Sequence, residues 1–247
     1  MINEFSRTEL IYGQKAIDRL KECHIAIFGI GGVGGYVAEA LARSGVGVFT
    51  LVDHDKVTLT NLNRQIIATH NTIGQYKVDV MKDRILSINP YAKVEVVRDF
   101  YSDENKGDFS FDKYDYIVDA IDTVKSKISL VLQANLCKKP IISSMGAGNK
   151  VNPMGFIVTD FNKTEMDPLA KVMRTELRKL GIKKLKVIYS KEKPLKPIKS
   201  SDVEISEKRE IPGSNAFVPS AAGLLIASEV VRDLTEEVTR EELKRHE

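Results

Sequence analysis

Apolar positions along the chain gather into six short runs rich in Val, Ile and Phe: "HIAIFG" (24–29), "VFTLVD" (48–53), "VEVVRD" (94–99), "YDYIVDA" (114–120), "PIISS" (140–144) and "GFIVTDF" (155–161). Between them, apolar residues recur at helical spacing over about 33–44, 75–88 and 124–137. Strand-length runs alternating with helical ones predict an α/β fold, a mostly parallel sheet with helices on both faces. Ahead of the first run, "SRTELIYGQKAIDRLKE" sets Leu10, Ile11, Ile17 and Leu20 at helical intervals, which predicts a helix packed beside the first strand. Towards the end, "FVPSAAGLLIASEVVRDL" predicts a core or interface helix that starts near Pro219 and is apolar until Glu229, too short to span a bilayer.

Length and composition narrow the picture. With 247 residues, 43% of them hydrophobic, the chain can bury one continuous core. We expect a single domain over 1–247, with a nucleotide-binding half near 1–145 and a substrate half near 146–247. "SKEKPLKPIKSSDVEISEKREIPG" (190–213) holds few large apolar groups, and a mobile loop is expected there. The two cysteines, Cys23 and Cys137, fall in apolar surroundings and form no pair pattern, and no apolar leader or spanning segment is seen, so a cytoplasmic protein is expected. Net charge is only +3, yet Lys171 to Lys199 contains eleven Lys/Arg against two Glu. Such sorting suits a polyanionic partner as well as a plain solvated face.

Chemistry enters at "AIFGIGGVGGYVAEALARSGVGVFTLVDHD" (26–55). Gly29, Gly31, Gly32 and Gly34 follow a strand and open a helix, where backbone amides and the helix N-terminus can meet a phosphate. Asp53 ends the next strand, placed to accept hydrogen bonds from ribose hydroxyls. This much marks a Rossmann-like half that would take NAD, FAD, S-adenosylmethionine or ATP alike. The residues that follow separate them. Asn63, Arg64 and Lys77 offer donors and positive charge beyond what a dinucleotide needs, and Asp122, just past its strand, could hold a magnesium ion. Taken singly, Arg64 could be a surface ion pair, Lys77 a solvated helix residue and Asp122 a helix N-cap. Together, and in this order, they favour a triphosphate.

"GIGGVGG", "LVDHDKVTLTNLNRQ", "GQYKV", "INP" and "DAIDT" resemble the adenylating superfamily that includes ubiquitin-activating enzymes and the activators of molybdopterin and thiamine biosynthesis. The resemblance implies ATP and Mg2+, with attack of a carboxylate on the α-phosphate. By motif it assigns Asp53 to ribose, Asn61, Asn63, Arg64 and Lys77 to the phosphates, and Asp122 to the metal. Arg7, in "FSRTEL", resembles the superfamily arginine that reaches a partner subunit's triphosphate, which implies a homodimer. Gly35 stands where many members have Ser.

The second half is similar to one branch, the tRNA threonylcarbamoyladenosine dehydratases, through "SSMGAGNKVNPMGFIVTDFNKTEMDPLAKVMRTELRKLGI", "KVIYS" and "GSNAFVPSAAGLLIASEVV". That likeness implies cyclisation of threonylcarbamoyladenosine at position 37 of tRNA through an acyl-adenylate. Intramolecular attack needs no enzyme nucleophile. Lys171, Arg174, Arg178, Lys179, Lys183, Lys184 and Lys186 would then meet RNA phosphates, with no role for DNA. Two rivals stand beside it. An activator of a ubiquitin-like sulfur carrier would call for a cysteine and usually a four-thiolate zinc, which two cysteines cannot supply. A nicotinamide-dependent enzyme or dinucleotide sensor would rest on the glycine turn alone. Whether a sulfur-relay or redox partner assists is not legible.

Overall fold

The computed structural model describes residues 2–198 and 212–246. Much of the 190–213 loop expected from composition therefore lies outside the described residues. Two helices lead the chain, α1 (Ser6–Tyr12) and α2 (Gln14–Glu22). Then come β1 (His24–Phe28), α3 (Gly34–Arg43), β2 (Val48–Val52), α4 (Lys77–Ile88) and β3 (Lys93–Val97). The second half contributes β4 (Tyr116–Asp119), α5 (Val124–Leu136), β5 (Ile141–Ser144), β6 (Phe156–Asp160), α6 (Pro168–Lys179), β7 (Lys186–Ser190) and α7 (Val218–His246).

The seven strands form one sheet in the order β3-β2-β1-β4-β5-β7-β6. Every neighbouring pair is parallel except β6 with β7. From β1 the chain builds outward through β2 and β3, then crosses to the other side of β1 to lay down β4. A crevice opens where the order reverses, outside the carboxyl ends of β1 and β4. The six expected strands are all present. The seventh, β7, begins with Lys186 inside the lysine-rich segment, and its buried core Val187–Tyr189 is too short to stand out from the charges around it.

Ile25, Ala26, Ile27 and Phe28 are all fully buried, as a central parallel strand covered on both faces requires. α7 covers one face with Val218, Ala222, Ile226 and Val230, each fully buried and four residues apart. It also seats against α3: a Cβ on Gly223 would fall 2.4 Å from the Val33 carbonyl oxygen, so only glycine allows this approach. Lys186 Nζ reaches Asp233 Oδ2 at 2.6 Å, and the Tyr116 hydroxyl donates to the same carboxylate at 2.7 Å, tying the helix to β7 and β4. No helix among the described residues is long and apolar enough to cross a membrane.

The N-terminal helix departs from expectation. Gly13 adopts φ 85° and ψ 162°, which ends α1 and restarts the chain as α2. A single helical period therefore does not run through the segment. Ile17 and Leu20 are buried, whereas Leu10 and Ile11 are 86% and 69% exposed.

Candidate active site

A cavity of about 600 Å³ occupies the crevice at the strand ends. Its near wall is the turn between β1 and α3. Gly29 sits at φ 91°, and a Cβ there would lie 2.6 Å from the Ala120 carbonyl oxygen; one on Gly34 would fall 1.8 Å from the Gly29 oxygen. These two glycines let strand, turn and helix close on one another. Gly31 and Gly32 instead line the cavity. No side chain caps the start of α3; Gly35 N–H is taken by the Gly31 carbonyl, whereas the Gly31 and Gly32 N–H groups meet no acceptor among the described residues and are left for a ligand.

Asp53 directly follows β2 and is held by two backbone amides: Ile30 N–H donates to Oδ2 at 2.7 Å and Asp55 N–H to Oδ1 at 2.8 Å. Its carboxylate is thus fixed against the glycine turn. Asp53, His54 and Asp55 bring ligand atoms within 4.8 Å of one another. Asp55, however, is ion-paired with Lys77 at 2.7 Å, which spends one of the three on an ammonium.

Lys77 opens α4, and its side chain is only 7% exposed, so it is no solvated helix residue. Arg64 follows a 3-10 turn that Asn61 closes by accepting the Thr58 N–H at 3.2 Å. The Arg64 guanidinium donates to the Thr60 carbonyl at 2.8 Å and to Asn63 Oδ1 at 2.9 Å, both neutral oxygens. It has no carboxylate partner among the described residues and borders the cavity half-buried, and desolvation pulls its pKa down. A guanidinium left without an anion in a cleft is a strong subsite for phosphate.

Asn63 lies outside the cavity wall and bridges Arg64 to the Ser214 carbonyl at 3.0 Å. Asp122 is exposed at the cavity, two residues ahead of α5; Thr123 holds the N-cap position, so capping does not account for Asp122. Gly31, Gly32, Asp53, Asn61, Arg64, Lys77 and Asp122 therefore meet around one space. Arg7 is exposed on α1 and does not border it.

Sequence reasoning passed over several polar residues here. Gln65, next to Arg64, is buried along the cavity wall with an unpartnered Oε1. Lys127 is wholly buried, paired with Asp119 at 3.0 Å, and donates to the Ile121 carbonyl at 3.0 Å, which fixes the backbone just before Asp122. Lys150 and Asp167 form a second buried pair at 2.7 Å on the far wall. Their spacing in sequence carries no signal, because each pair joins different elements. Cys23 is fully buried, and desolvation raises its thiol to about 11, far from a reactive thiolate.

The basic segment divides. Arg174 donates to the Thr164 carbonyl at 2.6 Å, Arg178 to Asn162 at 2.7 Å, Lys179 to Glu176 at 2.8 Å, and Lys186 pairs with Glu229 and Asp233. Lys171, Lys183 and Lys184 are exposed and have no side-chain partner among the described residues.

Comparisons with known proteins agree with this geometry. The tRNA threonylcarbamoyladenosine dehydratase of Bacillus subtilis (strain 168) is 46% identical over 253 residues, spanning 99% of this chain and 98% of that one. The crystal structure of the Escherichia coli tRNA N6-threonylcarbamoyladenosine dehydratase in complex with AMP superposes with a TM-score of 0.86 at 35% identity, over 96% of each chain. Its complex with ATP gives the same TM-score at 34% identity over the same shares. A sulfur-carrier-type relative, the adenylyltransferase and sulfurtransferase MOCS3 of Culex quinquefasciatus, matches 51% of this chain and 28% of its own length at 34% identity. A family model described as the ThiF family matches residues 5–246, and the chain belongs to the ThiF family.

Proposed function

We propose that this protein is an ATP-dependent tRNA threonylcarbamoyladenosine dehydratase. The observation that carries the reading is the unneutralised Arg64 guanidinium beside Lys77 and the glycine turn, all bordering one cavity. That set suits a triphosphate, whereas a dinucleotide leaves Arg64 without a counter-ion. The near full-length likeness to the Bacillus subtilis enzyme supports the substrate.

In this reading Asp53 accepts from the ribose hydroxyls, the Gly31 and Gly32 amides meet the phosphates, and Arg64 and Lys77 neutralise them, with Asn63 holding Arg64 in place. Lys77 would exchange part of its contact with Asp55 for phosphate oxygen. Asp122 fits magnesium: among the described residues its carboxylate meets only the Thr123 hydroxyl, at 3.3 Å, and a hard carboxylate oxygen together with phosphate oxygens is the donor set that ion prefers. Bound there, the ion would screen the charge of the phosphates. An oxygen of the threonyl carboxylate forms a bond to the α-phosphorus, the bond from that phosphorus to the bridging oxygen breaks, and pyrophosphate leaves. A nucleophilic atom of the same modification then attacks the acyl carbon, AMP departs and the attacking atom loses its proton. The reacting ends already share one molecule, which lowers the barrier without an enzyme nucleophile. Lys171, Lys183 and Lys184 are the basic residues free to meet tRNA phosphates. Arg7 would serve the partner subunit's site in a homodimer.

The test is incubation with ATP, magnesium and tRNA carrying threonylcarbamoyladenosine, followed by AMP assay and nucleoside mass spectrometry. AMP release with loss of one water from the modified nucleoside is expected. Silence with this tRNA, together with AMP release on a carrier protein ending in Gly-Gly, would replace the reading with carrier activation.

A further inference from the structure

The far wall of the cavity is the loop after β5, which includes Gly146, Ala147 and Gly148. Beneath it lies the wholly buried ion pair of Lys150 and Asp167, at 2.7 Å. Lys150 Nζ also donates to the Gly146 carbonyl at 2.5 Å, and Asp167 Oδ1 accepts the Ala170 N–H at 2.8 Å at the start of α6. A Cβ on Gly146 would come within 2.9 Å of Asp167 Oδ2, so the loop presses directly on the pair.

Burying an ion pair is costly and adds little net stability. Here it fixes one peptide plane. Among the described residues no peptide bond is cis, so the Gly146 carbonyl and the Ala147 N–H point in opposite directions. With the carbonyl held on Lys150, the Ala147 N–H is turned away from the pair. Ala147 is partly exposed and borders the cavity, and its N–H meets no acceptor among the described residues. A hydrogen bond from an ammonium to the carbonyl also polarises the peptide and strengthens its N–H as a donor.

We propose that the Ala147 N–H binds the carboxylate of the acid substrate opposite the nucleotide, and that Lys150 is the positioning residue that aims it. The inference rests on the dehydratase reading and names the substrate-side contact of that same site. The donor would hold the oxygen that becomes the acyl-adenylate carbonyl, while the other carboxylate oxygen attacks the α-phosphorus.

Ala147→Pro removes the N–H outright. Lys150→Met combined with Asp167→Asn removes the hold without stranding a charge, and Asn can still cap α6. Lys150→Gln, made in the same Asp167→Asn background so that no charge is stranded, keeps an amide donor for the Gly146 carbonyl. With the full-length protein and threonylcarbamoyl-bearing tRNA, Ala147→Pro is expected to lower kcat for AMP formation about 100-fold, as loss of one such donor does. The Lys150→Met double variant should lose about tenfold and the Lys150→Gln double variant stay within about threefold of wild type, the expected scale for a misaimed rather than absent donor. ATP Kd by calorimetry should move less than about threefold throughout, since the nucleotide wall is untouched. Wild-type kcat in Ala147→Pro, or in the Lys150→Met double variant, overturns the inference; so does an equal loss of ATP affinity, which would make the loop merely structural. If Ala147→Pro does not fold, equal activity of the two double variants overturns it. Failure of wild-type protein to form AMP with this tRNA would instead refute the dehydratase reading.

Discussion

Replacing Arg64 with alanine removes a half-buried guanidinium whose protein contacts are the neutral oxygens of Thr60 and Asn63. Losing those two bonds costs the fold about 0.5–1.5 kcal/mol each at most, and relief of an unpaired charge offsets part of that. Losing a charge-assisted bond to phosphate is larger, about 1.5–3 kcal/mol. At 1.4 kcal/mol per decade this weakens ATP by about 10–150-fold. AMP lacks the β and γ phosphates, so its Kd should change by less than about threefold if Arg64 faces those groups. Titration calorimetry with ATP and AMP, beside a thermal melt, separates the cases. Equal weakening of both nucleotides, or a collapse of stability with unchanged ATP affinity, would refute the phosphate assignment.

Other perturbations address different parts of the molecule. Asp122→Asn should abolish the gain in ATP use that magnesium gives while leaving metal-free ATP binding within about threefold, and retained magnesium dependence would remove Asp122 from the site. Charge reversal at Lys171, Lys183 and Lys184 should weaken tRNA and flatten the salt dependence of binding, with ATP affinity intact; an unchanged salt slope assigns these lysines to solubility. Lys186→Glu should act on the melt instead, because it takes the ammonium from Asp233 and sets a third carboxylate beside Asp233 and Glu229, which keeps only Arg232, and a wild-type melting temperature would contradict that. Glu39 is buried, and although desolvation raises its pKa, hydrogen bonds from Arg84 and Arg43 more than offset this and lower it below 4.5. A depressed folded pKa stabilises above the unfolded value and is lost as pH falls through the folded one. Glu39→Gln should therefore cost roughly 1.5–3 kcal/mol near neutrality and progressively less below about pH 4.5, as denaturant melts at several pH values would show.

What could be read in advance follows from range. β1, β2 and β4 announce themselves because a parallel strand buried on both faces is an unbroken apolar run, and the glycine turn because its requirement is local. Arg64 and Lys77 were legible as candidates through their order after that turn. Lys150 with Asp167 and Lys127 with Asp119 were not, since a buried lysine reads the same as a solvated one until its carboxylate partner arrives from another element. The break at Gly13 escaped for the opposite reason: helical spacing continues across it in the sequence, while one backbone rotation turns Leu10 and Ile11 outward. The lysine-rich segment read as one surface because composition does not say where each side chain points. Folded, Lys186 belongs to the packing of α7.

The seating of α7 on α3 has an implication for synthesis. Pro219 rests against Gly32 and Gly223 against the Val33 carbonyl, so the glycine turn leans on a helix that is made only after every strand of the sheet has been synthesised. A ribosome-bound fragment that stops before Val218 leaves bare the β-sheet face that Ala222, Ile226 and Val230 would cover. Nascent chains thus cannot assemble a working nucleotide cleft early, and truncated products carry exposed apolar surface of the sort that chaperones and proteases recognise.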